Sequence, residues 1–174
     1  MIKRTAYILI GDNNTGKTTF QKMLIKHLTG KSYTTLPTDL IHTIIHPESP
    51  RKLETLFTMN RSIQEKMTEE HYTSVSEYFE KKFKDADICI MSSHAGGKSI
   101  TEIEEMINIL QEKYYNVEAV FFTNSIDPST SEISKLKWNS RNMIQNDYNE
   151  DWESFLTIQA QLFGDMIIRY AKLN

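Results

Sequence analysis

The sequence predicts an α/β domain in three layers, with a mainly parallel central sheet of four to five strands and helices on both faces. Three observations predict it. Thr5 to Ile10 is a near-continuous apolar run closed by Gly11, as expected of a strand buried on both faces of a parallel sheet. The apolar positions then switch to helical spacing at Phe20, Met23, Leu24 and Leu28, and Gly30 stands where a helix would stop. The same alternation returns at Asp87 to Met91 and at Val117 to Phe122, and the chain closes on a helical stripe through Trp152, Phe155, Leu156, Gln159, Leu162, Phe163, Met166, Ile167 and Tyr170.

The elements between these follow in order. Tyr33 to Leu36 reads as a short second strand cut off by Pro37, which places Thr38 and Asp39 at its exposed carboxyl end. Leu53, Leu56, Phe57, Ile63, Met67, Val75, Tyr78, Phe79 and Phe83 read as a wholly helical insertion over about 50–85. The strand at Asp87 runs into Ser92-Ser93-His94 and the loop Ala95-Gly96-Gly97-Lys98. A helix follows, its start marked by capping-box spacing at Ser99 with Glu102 and Thr101 with Glu104. Asn124 to Asn149 is polar and breaks all periodicity. With no repeat, linker or low-complexity tract, one domain over residues 1–174 is expected.

At 39% hydrophobic and 25% charged residues, 174 residues suffice to bury a sizeable core. A net charge of -3 gives no global positive field for nucleic acid or an anionic membrane. The lone cysteine, Cys89, sits in an apolar run and reads as a reduced, buried thiol. The apolar run Ala6 to Ile10 is too short for a signal peptide or a membrane span, so a cytoplasmic protein without membrane contact is expected.

Gly11-Asp12-Asn13-Asn14-Thr15-Gly16-Lys17-Thr18 matches G-x-x-x-x-G-K-[ST] without a mismatch, between a strand and a helix as that motif requires. Its glycines let the backbone approach phosphates, and its amides together with the following helix N-terminus donate to them. Lys17 is expected on the β- and γ-phosphates and the Thr18 hydroxyl on Mg²⁺, with Thr19 alongside. The motif therefore predicts a P-loop NTPase-type fold holding ATP and Mg²⁺.

The remaining motifs sort the uses of such a loop. D-x-x-G, expected of a Ras-type GTPase after the second buried strand, is missing. At the place of N-K-x-D stands Asn124-Ser125-Ile126-Asp127, read as a turn into Pro128. A motor ATPase would end its second core strand in Asp-Glu, whereas this one ends Ser92-Ser93-His94, with no carboxylate to polarise water.

The loop, the segment Tyr33 to Asp39 and the strand Ile88 to His94 together resemble the small P-loop kinases, notably the adenylylsulfate kinase and polynucleotide kinase branch. The resemblance covers about half the chain. It implies transfer of the γ-phosphate to a hydroxyl of a nucleoside, nucleotide or nucleic acid, a modified base in DNA included, or of a small metabolite. Asp39 is then the acceptor-side base, and Ser92 joins the metal shell, with Ser93 and His94 as neighbouring candidates. A lid over about 128–148 supplies the second cation, Arg141 in preference to Lys135 or Lys137. Arg61 and Lys98 are further candidates for the acceptor side, and Trp138 and Tyr148 for base stacking. For several of these a plain structural role competes: a turn aspartate for Asp39, a hydrogen-bonded loop histidine for His94, a solvated arginine for Arg141, a surface ion pair for Arg61. The rival reading of the whole chain is a nucleotide-dependent switch or regulatory ATPase that binds a protein partner.

Overall fold

The structure is a computed structural model that describes residues 3–146 and 151–173. Its centre is a six-stranded sheet in the order β2-β3-β4-β1-β5-β6. The strands are β1 (Thr5–Ile10), β2 (Leu40–Thr43), β3 (Thr55–Ser62), β4 (Ile88–Ser93), β5 (Asn116–Phe122) and β6 (Ser140–Ile144), and the helices are α1 (Lys17–Thr29), α2 (Ile63–Glu69), α3 (Val75–Lys81), α4 (Ser99–Glu112), α5 (Ser129–Ser134) and α6 (Trp152–Leu173). All neighbouring strands pair in parallel except β2, which runs antiparallel to β3 at one edge. Among the described residues, no helix is long and apolar enough to cross a membrane.

Period-two alternation in β1 divides the core. Tyr7 and Leu9 pack with Phe20, Leu24 and Leu28 of α1 and with Phe163 and Ile167 of α6. Ala6, Ile8 and Ile10 face the other way, onto Tyr78 and Phe79 of α3 and Ile103, Met106 and Leu110 of α4. Every residue of β1 is buried, so its apolar run is continuous instead of alternating. Because β4 and β5 flank β1 on opposite sides, the chain reverses direction across the sheet there, and the carboxyl end of β1 opens onto a crevice.

Five expectations need correction. The sheet has six strands and not four to five, because β3 and β6 lie in segments read as helical and aperiodic. Tyr33 to Leu36 is not a strand. Pro37 lacks a ladder donor and restricts Leu36, and Asp39 then takes a left-handed φ of 57°, so pairing begins only at Leu40. The stretch 50–85 is not wholly helical, since its first half is β3. Leu56, Phe57, Thr58 and Met59 are buried consecutively, as in a strand covered on both faces; their spacing from Leu53 and Ile63 imitated a helix. The start of β3 is fixed by Asp87, whose Oδ2 accepts from the amides of Glu54 and Thr55, both at 2.9 Å.

The polar stretch after Asn124, in which the aperiodic sequence predicts no strand or helix, holds α5 and the edge strand β6. An exposed edge strand shows little apolar periodicity. The capping boxes expected at Ser99 and Thr101 do not form: Lys98 occupies the cap position of α4 and makes no side-chain cap. A complete capping box stands instead at Ser62 and Glu65, at the head of α2. Residues 147 and 148 of the expected lid, Tyr148 included, lie outside the described residues.

Candidate functional site

The Gly11–Thr18 loop joins β1 to α1 at the crevice. Gly16 caps α1 in a left-handed conformation, φ 93°, with no side-chain cap below it, so the first-turn amides of the helix are left for a ligand. A Cβ at Gly16 would lie 2.7 Å from Asn146 Nδ2 and 2.9 Å from Leu156 Cδ2. Glycine is thus demanded by both backbone angle and space. Asn14 also has a positive φ, 63°, which asparagine tolerates better than most residues. Asn146 Nδ2 donates to the Thr15 carbonyl at 2.6 Å and ties the loop to the chain that follows β6.

The second residue of the loop has a structural task. Asp12 Oδ2 accepts from the amides of Ile126 and Asp127 at 2.8 and 3.2 Å, and the Asp12 amide donates to Ser125 Oγ at 3.2 Å. The turn Asn124 to Asp127 is thereby fastened to the loop. Both polar atoms of the Asn124 carboxamide are buried without a hydrogen-bond partner.

Residues 13–19 form one wall of a cavity of about 760 Å³, and Asn60, Ser62, Glu65 and His94 form the wall opposite, with Asn146 and Trp152 at the remaining side. Lys17 Nζ donates to the carbonyls of Gly11 and Asp12, both at 2.7 Å. Burial lowers its pKa to about 8, against the pull of the Glu65 and Asp12 carboxylates. Burial, followed by the charge of Lys17, also lowers the pKa of His94, which keeps this imidazole neutral at physiological pH.

The opposite wall is built by the end of β3 and the start of α2. The pairing of β3 with β4 slips between Thr58 and Ser62, and such irregularities re-aim side chains. Asn60 Nδ2 donates to the Leu36 carbonyl at 2.9 Å, while Asn60 Oδ1 is buried without a partner. Glu65 Oε2 accepts from the Ser62 amide at 2.7 Å and the Ser62 hydroxyl at 3.0 Å. Its other oxygen has no part in the cap, so the box holds a carboxylate in the cavity with one oxygen to spare. Gln64 braces this wall: its Oε1 accepts from the His94 amide at 3.0 Å, and its Nε2 donates to Glu102 at 2.8 Å.

Of the residues picked out from sequence, the structure brings Asn13, Asn14, Thr15, Gly16, Lys17, Thr18, Thr19 and His94 to this cavity. It does not bring Asp39, whose two oxygens accept from Lys66 Nζ at 2.7 Å and Tyr78 Oη at 2.6 Å. Nor does it bring Ser92, which is buried to 1% exposure and whose hydroxyl accepts from Gln21 Nε2 at 3.3 Å. Arg141 lies on β6 and not in a lid. Its guanidinium donates to the carbonyls of Ser134 and Leu136, at 2.5 and 3.1 Å, closing the carboxyl end of α5 as cations do.

Lys135 pairs with Glu132 and Arg61 with Glu69 on the surface. Trp138 is 7% exposed, and its indole N–H donates to the Ile133 carbonyl at 2.8 Å, so it belongs to the core. Sequence reasoning missed Asn60, Ser62, Glu65, Asn146 and Trp152 at the cavity. Only Ser62-Ile63-Gln64-Glu65 carried a legible signal, the S-x-x-E of a helix start. Comparison with known proteins adds no assignment: no family model matches the chain, and no curated protein matches it.

Proposed function

We propose that this chain is an ATP-dependent phosphotransferase of the P-loop type, which moves a γ-phosphoryl group to the hydroxyl of a nucleoside, nucleotide or nucleic-acid acceptor, or of a small metabolite. The observation that carries the reading is the two-walled cavity. A loop of the phosphate-binding pattern lies on one side, and a held carboxylate, Glu65, lies on the other. Its volume of about 760 Å³ is within the range of small-molecule sites, roughly 300–1,000 Å³.

The division of labour follows from the walls. Lys17 and the open amides of α1 hold the phosphates and face the charge that grows on the transferring group. Glu65 takes over the task that the sequence assigned to Asp39. As the acceptor oxygen bonds to the γ-phosphorus, the bond to the bridging oxygen breaks, the electron pair leaves with the diphosphate, and the hydroxyl proton passes to Glu65. Neutral His94 and the unpartnered Asn60 Oδ1 orient the acceptor. The exposed Thr18 hydroxyl is an oxygen donor suited to Mg²⁺, which when bound would neutralise phosphate charge.

Transfer of labelled γ-phosphate from ATP to a panel of nucleosides, oligonucleotides and metabolites tests the reading, with Lys17→Ala as blank. Glu65→Gln should lower transfer about 100-fold or more, the scale of a general base, with ATP affinity retained. Asp39→Asn should leave transfer in the folded protein. Transfer to no acceptor, combined with partner-stimulated hydrolysis, sinks the proposal. The buried, unpartnered carboxamide of Asn124 favours a second reading, a nucleotide switch that reads a base there. GTP binding much tighter than ATP binding, and lost in Asn124→Ala, would establish it in place of the kinase.

A further inference from the structure

We propose that His27, His46 and Asp165 bind a divalent transition-metal ion, with zinc as the best chemical match, at a site separate from the cavity. The three residues come from three segments: the last turn of α1, the loop after β2 and the middle of α6. One ligand atom of each lies within 4.8 Å of the other two. Asp165 Oδ1 is 2.8 Å from His27 Nε2 and 3.9 Å from His46 Nε2. Tetrahedral zinc, with bonds of about 2.0–2.2 Å, sets its ligand atoms roughly 3.3–3.5 Å apart, between those two separations. Both oxygen–nitrogen separations are therefore within about half an ångström of a tetrahedral edge, and closing the separation of the two imidazole nitrogens, at most 4.8 Å, completes three corners and leaves the fourth to water.

An ordinary ion pair accounts for His27 and Asp165 but not for His46. Its Nε2 is too far from the carboxylate for a hydrogen bond, yet its ring centroid lies 4.7 Å from that of His27, with the planes tilted by 52°. Two imidazoles turned toward one carboxylate oxygen would repel each other if both were charged; a metal ion uses both as neutral donors. The surroundings favour a cation. The last turn of α1 carries the negative end of the helix dipole, and the neighbouring ammonium, Lys172, is engaged by Glu48 at 2.7 Å.

Packing holds the ligands in place. A Cβ at Gly164 would lie 2.6 Å from His27 Cδ2, so glycine at this position lets α6 approach α1 closely enough to deliver Asp165. Two local adjustments are required: the metal displaces the proton that His27 Nε2 donates to Asp165, and the loop imidazole changes tautomer. His46 Nδ1 accepts from the exposed Glu48 amide at 3.2 Å, which puts the ring proton on Nε2. Metal binding at Nε2 moves that proton to Nδ1 and releases the amide to water. The ion would then staple α1, α6 and the loop after β2 together.

The test uses the full chain without nucleotide. Zn²⁺ is titrated against a chromophoric chelator, and Co²⁺ is added as a visible probe. One equivalent of tightly held Zn²⁺ is expected, together with the intense visible band of four-coordinate Co²⁺. His27→Gln, His46→Gln and Asp165→Asn should each weaken binding by about tenfold or more, whereas His71→Asn, at an exposed site elsewhere, should not. His46 is on a loop, so His46→Gln is expected to fold, and loss of the Zn²⁺-induced rise in Tm in that variant gives a second readout. Substoichiometric binding, no rise in Tm of the unmodified chain, or affinity in all three variants equal to that of the unmodified chain overturns the site.

Discussion

Two lysines of this chain lie beside carboxylates and are held in opposite ways. Lys66 is fully buried and donates to Asp39 Oδ2 at 2.7 Å and Glu70 Oε1 at 2.6 Å, while Tyr78 Oη fills the other Asp39 oxygen. Lys17 donates instead to two backbone carbonyls. The Asp12 carboxylate nearby is spent on the amides of Ile126 and Asp127, and Glu65 acts on Lys17 through space only. The charge of Lys66 is matched by its partners, whereas that of Lys17 is hydrogen-bonded only to dipoles, with the Glu65 and Asp12 carboxylates acting through space, and is strained by burial toward a pKa of about 8. A matched ammonium holds a fold together; an unmatched one at a cavity wall is ready for an anion. Asp39 belongs to the first kind of site and Glu65 to the second.

The sharpest way to break this comparison is Lys66→Met. It leaves two carboxylates without their cation at a buried position, which should cost about 3–5 kcal/mol of stability, read from the urea midpoint, with nucleotide affinity of the folded protein unchanged. Lys17→Met should do the reverse. Loss of a charged donor to phosphate costs about 2 kcal/mol of binding, roughly 30-fold in ATP affinity, measured by calorimetry. Its stability at pH 7 should be no lower than that of the parent. The sign follows from the depressed pKa: below about pH 8 the folded state carries a charge that burial disfavours, and the substitution removes it. Equal destabilisation by the two substitutions would end the distinction.

What could be read from sequence depended on whether a signal is local. The loop was legible because each of its residues acts through its own backbone or charge, and because β1 on one side is an unbroken apolar run while α1 on the other shows helical spacing. The far wall was not, because β3 is buried on both faces and its apolar spacing resembles a helix. Asp39 and Arg141 looked available because their partners are remote in sequence or are main-chain atoms. Lys66 lies 27 residues from Asp39, and Arg141 bonds to carbonyls, which no side-chain pattern reveals. Glu65 carried a readable cap signal, yet a cap by itself says nothing about facing Lys17; that proximity comes from the parallel pairing of β3 with β4 and of β4 with β1.

Ser62→Ala sharpens the contrast on a smaller scale. It removes the hydroxyl that caps α2 and holds Glu65, so stability should fall by about 1 kcal/mol on thermal unfolding. Phosphoryl transfer should fall further than ATP affinity, because the freed carboxylate keeps its charge but loses its aim.

The smallest expected effect is the dependence of ATP affinity on pH. A bound phosphate favours protonated Lys17, and phosphate monoesters lose their last proton near pH 6, so above pH 7.5 Lys17 is the group that titrates in the ligand–lysine pair. With its pKa at about 8, affinity should fall as pH rises, by about threefold between pH 7.5 and 8.5 from the ionised fraction alone. Lys17→Met should flatten that profile. Lys66→Met should leave it unchanged in the folded protein, since the Lys66 ammonium is engaged by Asp39 and Glu70 and does not line the cavity. A profile that is flat in the parent chain would mean that the Lys17 ammonium does not meet the phosphates, and the functional half of the comparison would fall with it.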